Sequence, residues 1–296
     1  MLILHDPRCA EYGPDLQDER PARATRTAAL LHERHPDWTW RAPALEVPDS
    51  TLLLAHTASH LRRLDHPEDF DHETPYLPGI GEHARRSVSG ALEATAHALE
   101  HGTPVFSLMR PPGHHATAME AMGYCYLNTA AIAALHAVRV GGLKRVAVWD
   151  FDAHHGNGTE FILHAQAAHD TFFFASVHQY PGYPGTGTQD HGPSIRNWPV
   201  APRSPRANHM QMLRASLDAV LSFAPDLIVI SAGFDAFKGD PVAELSLEVE
   251  DFAELGRWVA AVRHPTAAIL EGGYSEQLPL LVDAFLSAWQ NAARSA

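Results

Sequence analysis

The run Val146-Ala-Val-Trp-Asp150-Phe-Asp152-Ala-His154-His155-Gly-Asn157-Gly158 concentrates side chains that can do chemistry. It begins as a short apolar, β-branched segment, the pattern of a buried strand, and then breaks into Asp-x-Asp-x-His. Alternate side chains at an extended strand end point the same way, so Asp150, Asp152 and His154 project to one side. Two carboxylates beside an imidazole repel each other and are costly to desolvate unless a cation sits among them. The chemistry implied is a metal centre. Asp235, in Ser231-Ala-Gly-Phe-Asp235, can make a set of three ligands with Asp152 and His154, a helix cap or turn residue being the alternative for Asp235. Three protein ligands leave a position for water or substrate, as in catalytic zinc sites. A closed structural site would more often use cysteines, and Cys9 and Cys125 are not suitably paired. One imidazole with two carboxylates is a harder set than most zinc sites and also suits iron(II) or cobalt(II).

Hydrolysis at such a centre needs proton transfer. Arg110-Pro-Pro-Gly113-His114-His115 places two imidazoles on a constrained turn. Histidine can serve as base to a water and as acid to a departing amine near neutral pH. Asp150 could orient and charge-stabilise one imidazole, and Asn157 could hold the other without adding charge. In Glu271-Gly-Gly-Tyr274 the glycines permit a tight turn that would aim the ring inward, where a phenol can donate to an oxyanion. A rim aromatic is the alternative for Tyr274.

These residues fall where one architecture would gather them. Strands are expected at 2–4, as a first edge strand, and at 104–108, 145–149, 171–177, 227–231 and 267–270. Helices are expected at 20–32, 50–64, 81–100, 127–138, 207–222, 247–262 and 279–293, with loop and short extended pieces at 36–48 and loops at 65–81 and 178–205. Alternation of strand and helix implies an α/β fold, a mostly parallel central sheet with helices on both faces. Such sheets bind ligands beyond the carboxyl ends of their strands. The segments holding His114 and His115, Asp150 to Asn157, Asp235 and Tyr274 each follow a strand, so four strand ends should meet at one rim. With no repeat or linker in sight, residues 1–296 read as a single domain.

Composition narrows the function. With 22 Lys and Arg against 35 Asp and Glu, the net charge is -13. Such a chain repels polyphosphate, which argues against nucleic acid as a partner and is compatible with cationic substrates. Two isolated cysteines suit a reducing compartment. The apolar start is too short for a signal peptide, and no stretch approaches the roughly 18 apolar residues of a spanning helix. The expectation is a cytoplasmic protein with no membrane partner. His32, His35, His56, His60 and His66, among 21 histidines, lie in polar surroundings and read as surface residues.

Taken together and in order, six segments resemble the zinc-dependent histone deacetylase family, including its bacterial class II-like deacetylase and acetylpolyamine amidohydrolase members. They are 110–116, Gly123-Tyr-Cys-Tyr-Leu-Asn128, 150–158, Tyr183-Pro-Gly-Thr-Gly187, 231–235 and 271–274. The resemblance runs from Asp18 through Tyr274. It implies an arginase/deacetylase-like fold and hydrolysis of an acyl-lysine-type amide. It implies that Asp152, His154 and Asp235 bind one zinc per chain. His114 and His115 would serve the water and the leaving amine, with His115 as proton donor, and Tyr274 would polarise the carbonyl. It further implies a structural potassium ion, held by side-chain oxygens of Asp150 and Ser176 and by carbonyls of Asp152, His154 and Val177. Tyr124 and Tyr183, with Gly123, match the channel around the substrate's aliphatic stem.

Three positions differ from common members. Asn157 stands where many have aspartate, a class II-like trait. Glu73 lies near where an aspartate clamps the substrate backbone. Val242 falls where a polyamine-selective relative carries a gatekeeping glutamate, which tilts the expectation toward acyl-lysine in proteins or peptides rather than an acylated polyamine. Homo-oligomerisation is compatible with the resemblance. Two rivals are a dimanganese hydrolase of arginase type, which needs more carboxylate ligands, and a non-catalytic module that has kept the fold. The complete set His114, His115, Asp152, His154, Asp235 and Tyr274 argues against the latter.

Overall fold

A computed structural model describes residues 1–13, 17–166 and 169–294. Eight strands form one sheet: β1 (Leu2–Leu4), β2 (Thr39–Arg41), β3 (Val105–Ser107), β4 (Val146–Asp150), β5 (Phe172–Gln179), β6 (Ile195–Val200), β7 (Leu227–Ala232) and β8 (Thr266–Leu270). Their order is β2-β1-β3-β8-β7-β4-β5-β6, and every neighbouring pair is parallel. The helices are α1 (Ala22–Arg34), α2 (Asp49–Leu52), α3 (Ala58–Arg63), α4 (Ile80–His101), α5 (Thr129–Arg139), α6 (Asn157–His164), α7 (Arg206–Ser222), α8 (Val249–Ala260) and α9 (Leu278–Arg294).

Strand periodicity divides the core in two. In β4, Val146 and Val148 join the cluster built with α4 and α5, while Ala147 and Trp149 join the one built with α7, α8 and α9. A strand buried on both faces has no polar side to show, which is why β4 reads as a continuous apolar run. The Trp149 indole donates to Ser216 Oγ at 2.8 Å, so its one polar atom is satisfied.

The chain builds β3, then β4 to β6 outward along one edge, and returns to insert β7 and β8 between β4 and β3. The four strands whose ends carry the chemically interesting segments are therefore adjacent. Among the described residues, no helix is long and apolar enough to cross a membrane.

The structure corrects several expectations. The 178–205 loop contains β6, an edge strand that admits Pro199 because, among the described residues, no strand pairs with its outer side. Leu2–Leu4 is not the edge strand expected: Thr39–Arg41, one of the short extended pieces expected within 36–48, pairs with β1 and takes the opposite edge. The predicted 50–64 helix is two short helices, α2 and α3. Helix α6 was not anticipated; its Gly158 sits where a Cβ would strike Ala116 and His115 backbone. His56 and His60 are buried rather than on the surface. His56 Nδ1 faces the Thr117 carbonyl at 2.9 Å and its Nε2 accepts from Asn128 N–H at 2.9 Å. His60 Nε2 faces the Tyr126 carbonyl at 2.8 Å. Sequence polarity could not distinguish these clasps from solvated imidazoles.

Burial followed by the neighbouring His60 pushes His56 down to about 3. Burial alone pushes His209, whose two ring nitrogens have no hydrogen-bond partner among the described residues, down to about 4. Both are lowered below the unfolded value, so their stabilising contribution is complete above about pH 6.5 and drains as pH falls toward the folded values. For His209 the loss between pH 7 and pH 5 is about 2 kcal/mol. We expect urea midpoints to drop over that interval and His209→Leu to flatten the drop without lowering the midpoint at pH 7. An unchanged slope in that variant would contradict the assignment.

Candidate active site

Beyond the end of β4 the chain curls because each side chain caps the backbone ahead of it. Asp150 Oδ1 accepts from Asp152 N–H at 3.1 Å, and Asp152 Oδ1 accepts from His154 N–H at 2.8 Å. The neighbouring strand ends add N–H donors. Gly272 N–H reaches Asp152 Oδ2 at 2.7 Å, and Ala153 N–H reaches Asp235 Oδ1 at 2.8 Å. A Cβ at Gly233 or Gly272 would collide with these carboxylates, so both glycines are required by close approach.

The result is a buried cluster. His154 Nδ1 lies 3.2 Å from Asp152 Oδ1 and 2.9 Å from Asp235 Oδ2. One ligand atom from each of the three falls within 4.8 Å of the others. Burial, then the charge of Asp152, pushes Asp235 up to about 6. Burial also opposes ionisation of Asp152, but His114 and then His154 outweigh it and hold that carboxyl low. His154 Nε2 faces the Val242 carbonyl at 3.2 Å. A proton donated there leaves Nδ1 as the lone-pair atom, turned toward the two acids, as a metal ligand requires. These residues fit a divalent cation.

His114, Cys125 and Glu271 also lie within mutual ligand distance. They suit a metal less well. Burial, then Glu271, pushes the Cys125 thiol well above its ordinary value, and one Glu271 oxygen already accepts Gly113 N–H at 2.7 Å and His114 N–H at 3.1 Å.

Those two bonds hold the tandem histidines. His114 Nδ1 lies 3.1 Å from Asp150 Oδ2, His115 Nδ1 lies 2.7 Å from Asn157 Oδ1, and the two rings are 4.0 Å apart. Burial works against charge on both. On His114 the carboxylates of Asp152 and Asp150 overcome it and push the imidazole up to about 10. On His115 the nearby imidazoles of His114 and His154 add to burial, and it falls well below the usual range. One carboxylate partner and one amide partner thus push two adjacent histidines in opposite directions.

Tyr274 is turned inward and 7% exposed, which settles the choice against a rim position. Its ring lies under the Arg23 guanidinium, 4.6 Å from Cζ to centroid. Arg23 also donates to the Gly273 carbonyl at 2.6 Å and to the Glu271 carbonyl. Glu19 bridges Arg23 and the buried Arg110. A cavity of about 80 Å³ is lined by Glu73, His115, Gly123, Tyr124, His154, Tyr183, Val242 and Tyr274. Gly123, at φ 55°, must be glycine, since a Cβ would press on the rings of His115 and Tyr183. The mouth is acidic: burial, then the charges of Glu73 and Asp18, push the Tyr124 phenol up to about 12.

Residues expected from sequence to act together are together, with differences in detail. Asp150 and Ser176 are register partners across β4 and β5, with Val177 next in the strand. The Ser176 hydroxyl lies 2.9 Å from His178 Nδ1. His155 turns away from the acid pair toward Thr186 Oγ1, at 2.7 Å, and helps anchor the loop that carries Tyr183. Asp240 was missed. Its only sequence signal is a Gly-Asp-Pro turn, yet the carboxylate is buried and receives N–H groups from Val242, Tyr274 and Ser275.

Comparison with known proteins places this geometry in context. The chain is similar to a probable deacetylase of Methanothermobacter thermautotrophicus, 34% identical over 94% of this chain and 86% of that protein. It is 36% identical to acetylpolyamine amidohydrolase 1 of Pseudomonas aeruginosa over 76% of this chain and 67% of the relative. The crystal structure of an acetylpolyamine aminohydrolase from Burkholderia pseudomallei superposes with a TM-score of 0.84 at 28% identity, covering 98% of each chain. The histone deacetylase domain model matches residues 17–288, a span that takes in every segment gathered around the cavity, and the chain therefore belongs to the histone deacetylase family of hydrolases that cleave amide bonds.

Proposed function

We propose that this protein is a zinc-dependent amidohydrolase that removes an acetyl or other short acyl group from the amine of acyl-lysine in proteins or peptides. The carrying observation is the meeting of the buried Asp152, His154 and Asp235 cluster, the His114–His115 pair and Tyr274 around one small cavity. We take residues 1–296 as one catalytic domain, in keeping with their single sheet. Cys9 and Cys125, both buried and unpaired, are in keeping with a reducing, cytoplasmic setting.

Zinc held by Asp152, His154 and Asp235 would supply Lewis-acid polarisation of the acyl carbonyl and a more acidic attacking water. His115, neutral and donating Nδ1–H to Asn157, keeps Nε2 free to take the proton of that water. Its protonated form then delivers the proton to the departing amine. His114, charged against Asp150, supports negative charge developing nearby. The Tyr274 phenol donates to the oxyanion as the carbonyl carbon becomes tetrahedral. Tyr124 and Tyr183, with Gly123, hold the substrate's methylene stem, and Glu73 meets its polar end at the mouth. Asp150 and Ser176 side chains, with carbonyls of Asp152, His154 and Val177, would hold a structural potassium ion.

Acetylpolyamine is the second reading of the substrate. Two observations favour it: the carboxylate of Glu73 at the mouth, which suits a distal ammonium, and the names of several relatives. Val242, an apolar lining residue, speaks for acyl-lysine. Turnover of acetyl-lysine peptides, longer acyl-lysines and acetylated polyamines on one panel decides between them; a kcat/KM higher for the polyamines would overturn the acyl-lysine reading.

Tyr274→Phe is expected to lower kcat by roughly a hundredfold or more, the scale of losing one oxyanion donor, and unchanged turnover would remove the phenol from the mechanism. Chelation should abolish activity, and zinc alone should restore it at one ion per chain by elemental analysis. Recovery that needs two manganese ions would favour the arginase-type alternative.

A further inference from the structure

The turn that presents Tyr274 cannot hold itself. It passes through Gly272 and Gly273, the latter at φ 116°, a conformation open to glycine and rare for other residues. Such a segment has little intrinsic preference for one backbone path, so the place of the phenol depends on what grips the turn from outside. The carbonyls of Glu271 and Gly273 are gripped by Arg23. The N–H groups that follow are gripped by a carboxylate from a different strand end. Asp240 Oδ2 accepts from Tyr274 N–H at 2.7 Å and from Ser275 N–H at 3.0 Å.

The other oxygen of the same carboxylate accepts Val242 N–H at 3.1 Å. The Val242 carbonyl, in turn, faces His154 Nε2 at 3.2 Å. Asp240 therefore references the phenol and the imidazole of the acid cluster to one rigid group. It does not line the cavity, whereas Val242, His154 and Tyr274 do. It is a buried acid whose partners here are peptide N–H groups. Burying a carboxylate in this way is costly, and packing alone would be served as well by an apolar residue.

We propose that Asp240 is a positioning residue for amide hydrolysis, setting the place of the Tyr274 phenol through the Tyr274 and Ser275 N–H groups. The inference rests on the reading of Tyr274 as the oxyanion donor. Asp240→Asn is nearly isosteric but offers one acceptor oxygen and one NH₂. Whichever way the amide turns, at least one backbone N–H is left facing an N–H.

The test has two readouts. In the metal-free protein, hydrogen exchange followed by mass spectrometry should show faster exchange at 240–242 and 271–275 in D240N, with the rest of the sheet unchanged. At saturating zinc, D240N should lower kcat roughly 10- to 100-fold, the scale for partners that orient site residues, with KM changed less than about threefold. In a Y274F background the same substitution should cost less than about threefold, because a misplaced ring without its hydroxyl has nothing further to lose. Asp240→Glu keeps the charge and the acceptors but shifts the turn, and covers the case in which D240N does not fold. It should show the same dependence on Tyr274. Equal losses in the two backgrounds, or unchanged exchange at both segments, would overturn the inference alone. A wild-type enzyme inactive on the whole substrate panel would overturn the deacylase reading and this inference with it.

Discussion

Two carboxylates, Asp152 and Asp235, lie fully buried against one imidazole nitrogen. In a low-dielectric interior, like charges at this separation are tolerated only with compensation. Some of it is supplied by backbone N–H groups of Gly272 and Ala153, which belong to two different strand ends. The acid pair thus forces the loops after β4, β7 and β8 to approach one another closely. Gly233 and Gly272 are the consequence, since a side chain at either would occupy carboxylate space. The remaining charge imbalance is what suits the cluster to a divalent cation.

Around that centre, acids outside the proposed ligand set do much of the holding. Glu271 receives the N–H groups of Gly113 and His114, Asp240 those of Val242, Tyr274 and Ser275, and Glu19 joins Arg23 to Arg110. Charged hydrogen bonds are stronger and more directional than neutral ones, so a few buried carboxylates can fix loops that otherwise have glycine-rich, pliable backbones. The net charge of -13 is then a property of the interior as well as of the surface.

The same electrostatics sets the tandem histidines apart. Neighbours in sequence with rings 4.0 Å apart, they differ because one meets Asp150 and the other Asn157. A carboxylate stabilises an imidazolium; an amide orients a ring without charging it. Membership of the histone deacetylase family accounts for the presence of these parts. Their opposite shifts follow from the geometry of this chain.

The sequence by itself determined the parallel α/β class, most strands and helices, and the cluster of Asp152, His154 and Asp235. Strand and helix alternation is a local pattern, and a buried parallel strand such as β4 advertises itself by an unbroken apolar run. Paired acids at a strand end are equally conspicuous. The tertiary structure alone decided that β3, β8, β7 and β4 are adjacent, because strand order is set by long-range packing. It decided that Tyr274 points inward, that His56 and His60 are buried clasps, and that Asp240 is buried at all. The edge strand β6 and the short helix α6 were hidden for a related reason: each is stabilised by its neighbours more than by its own sequence. A histidine or aspartate has the same one-letter identity in solvent and in the core. What separates the two is the backbone group that arrives from elsewhere in the chain to meet it.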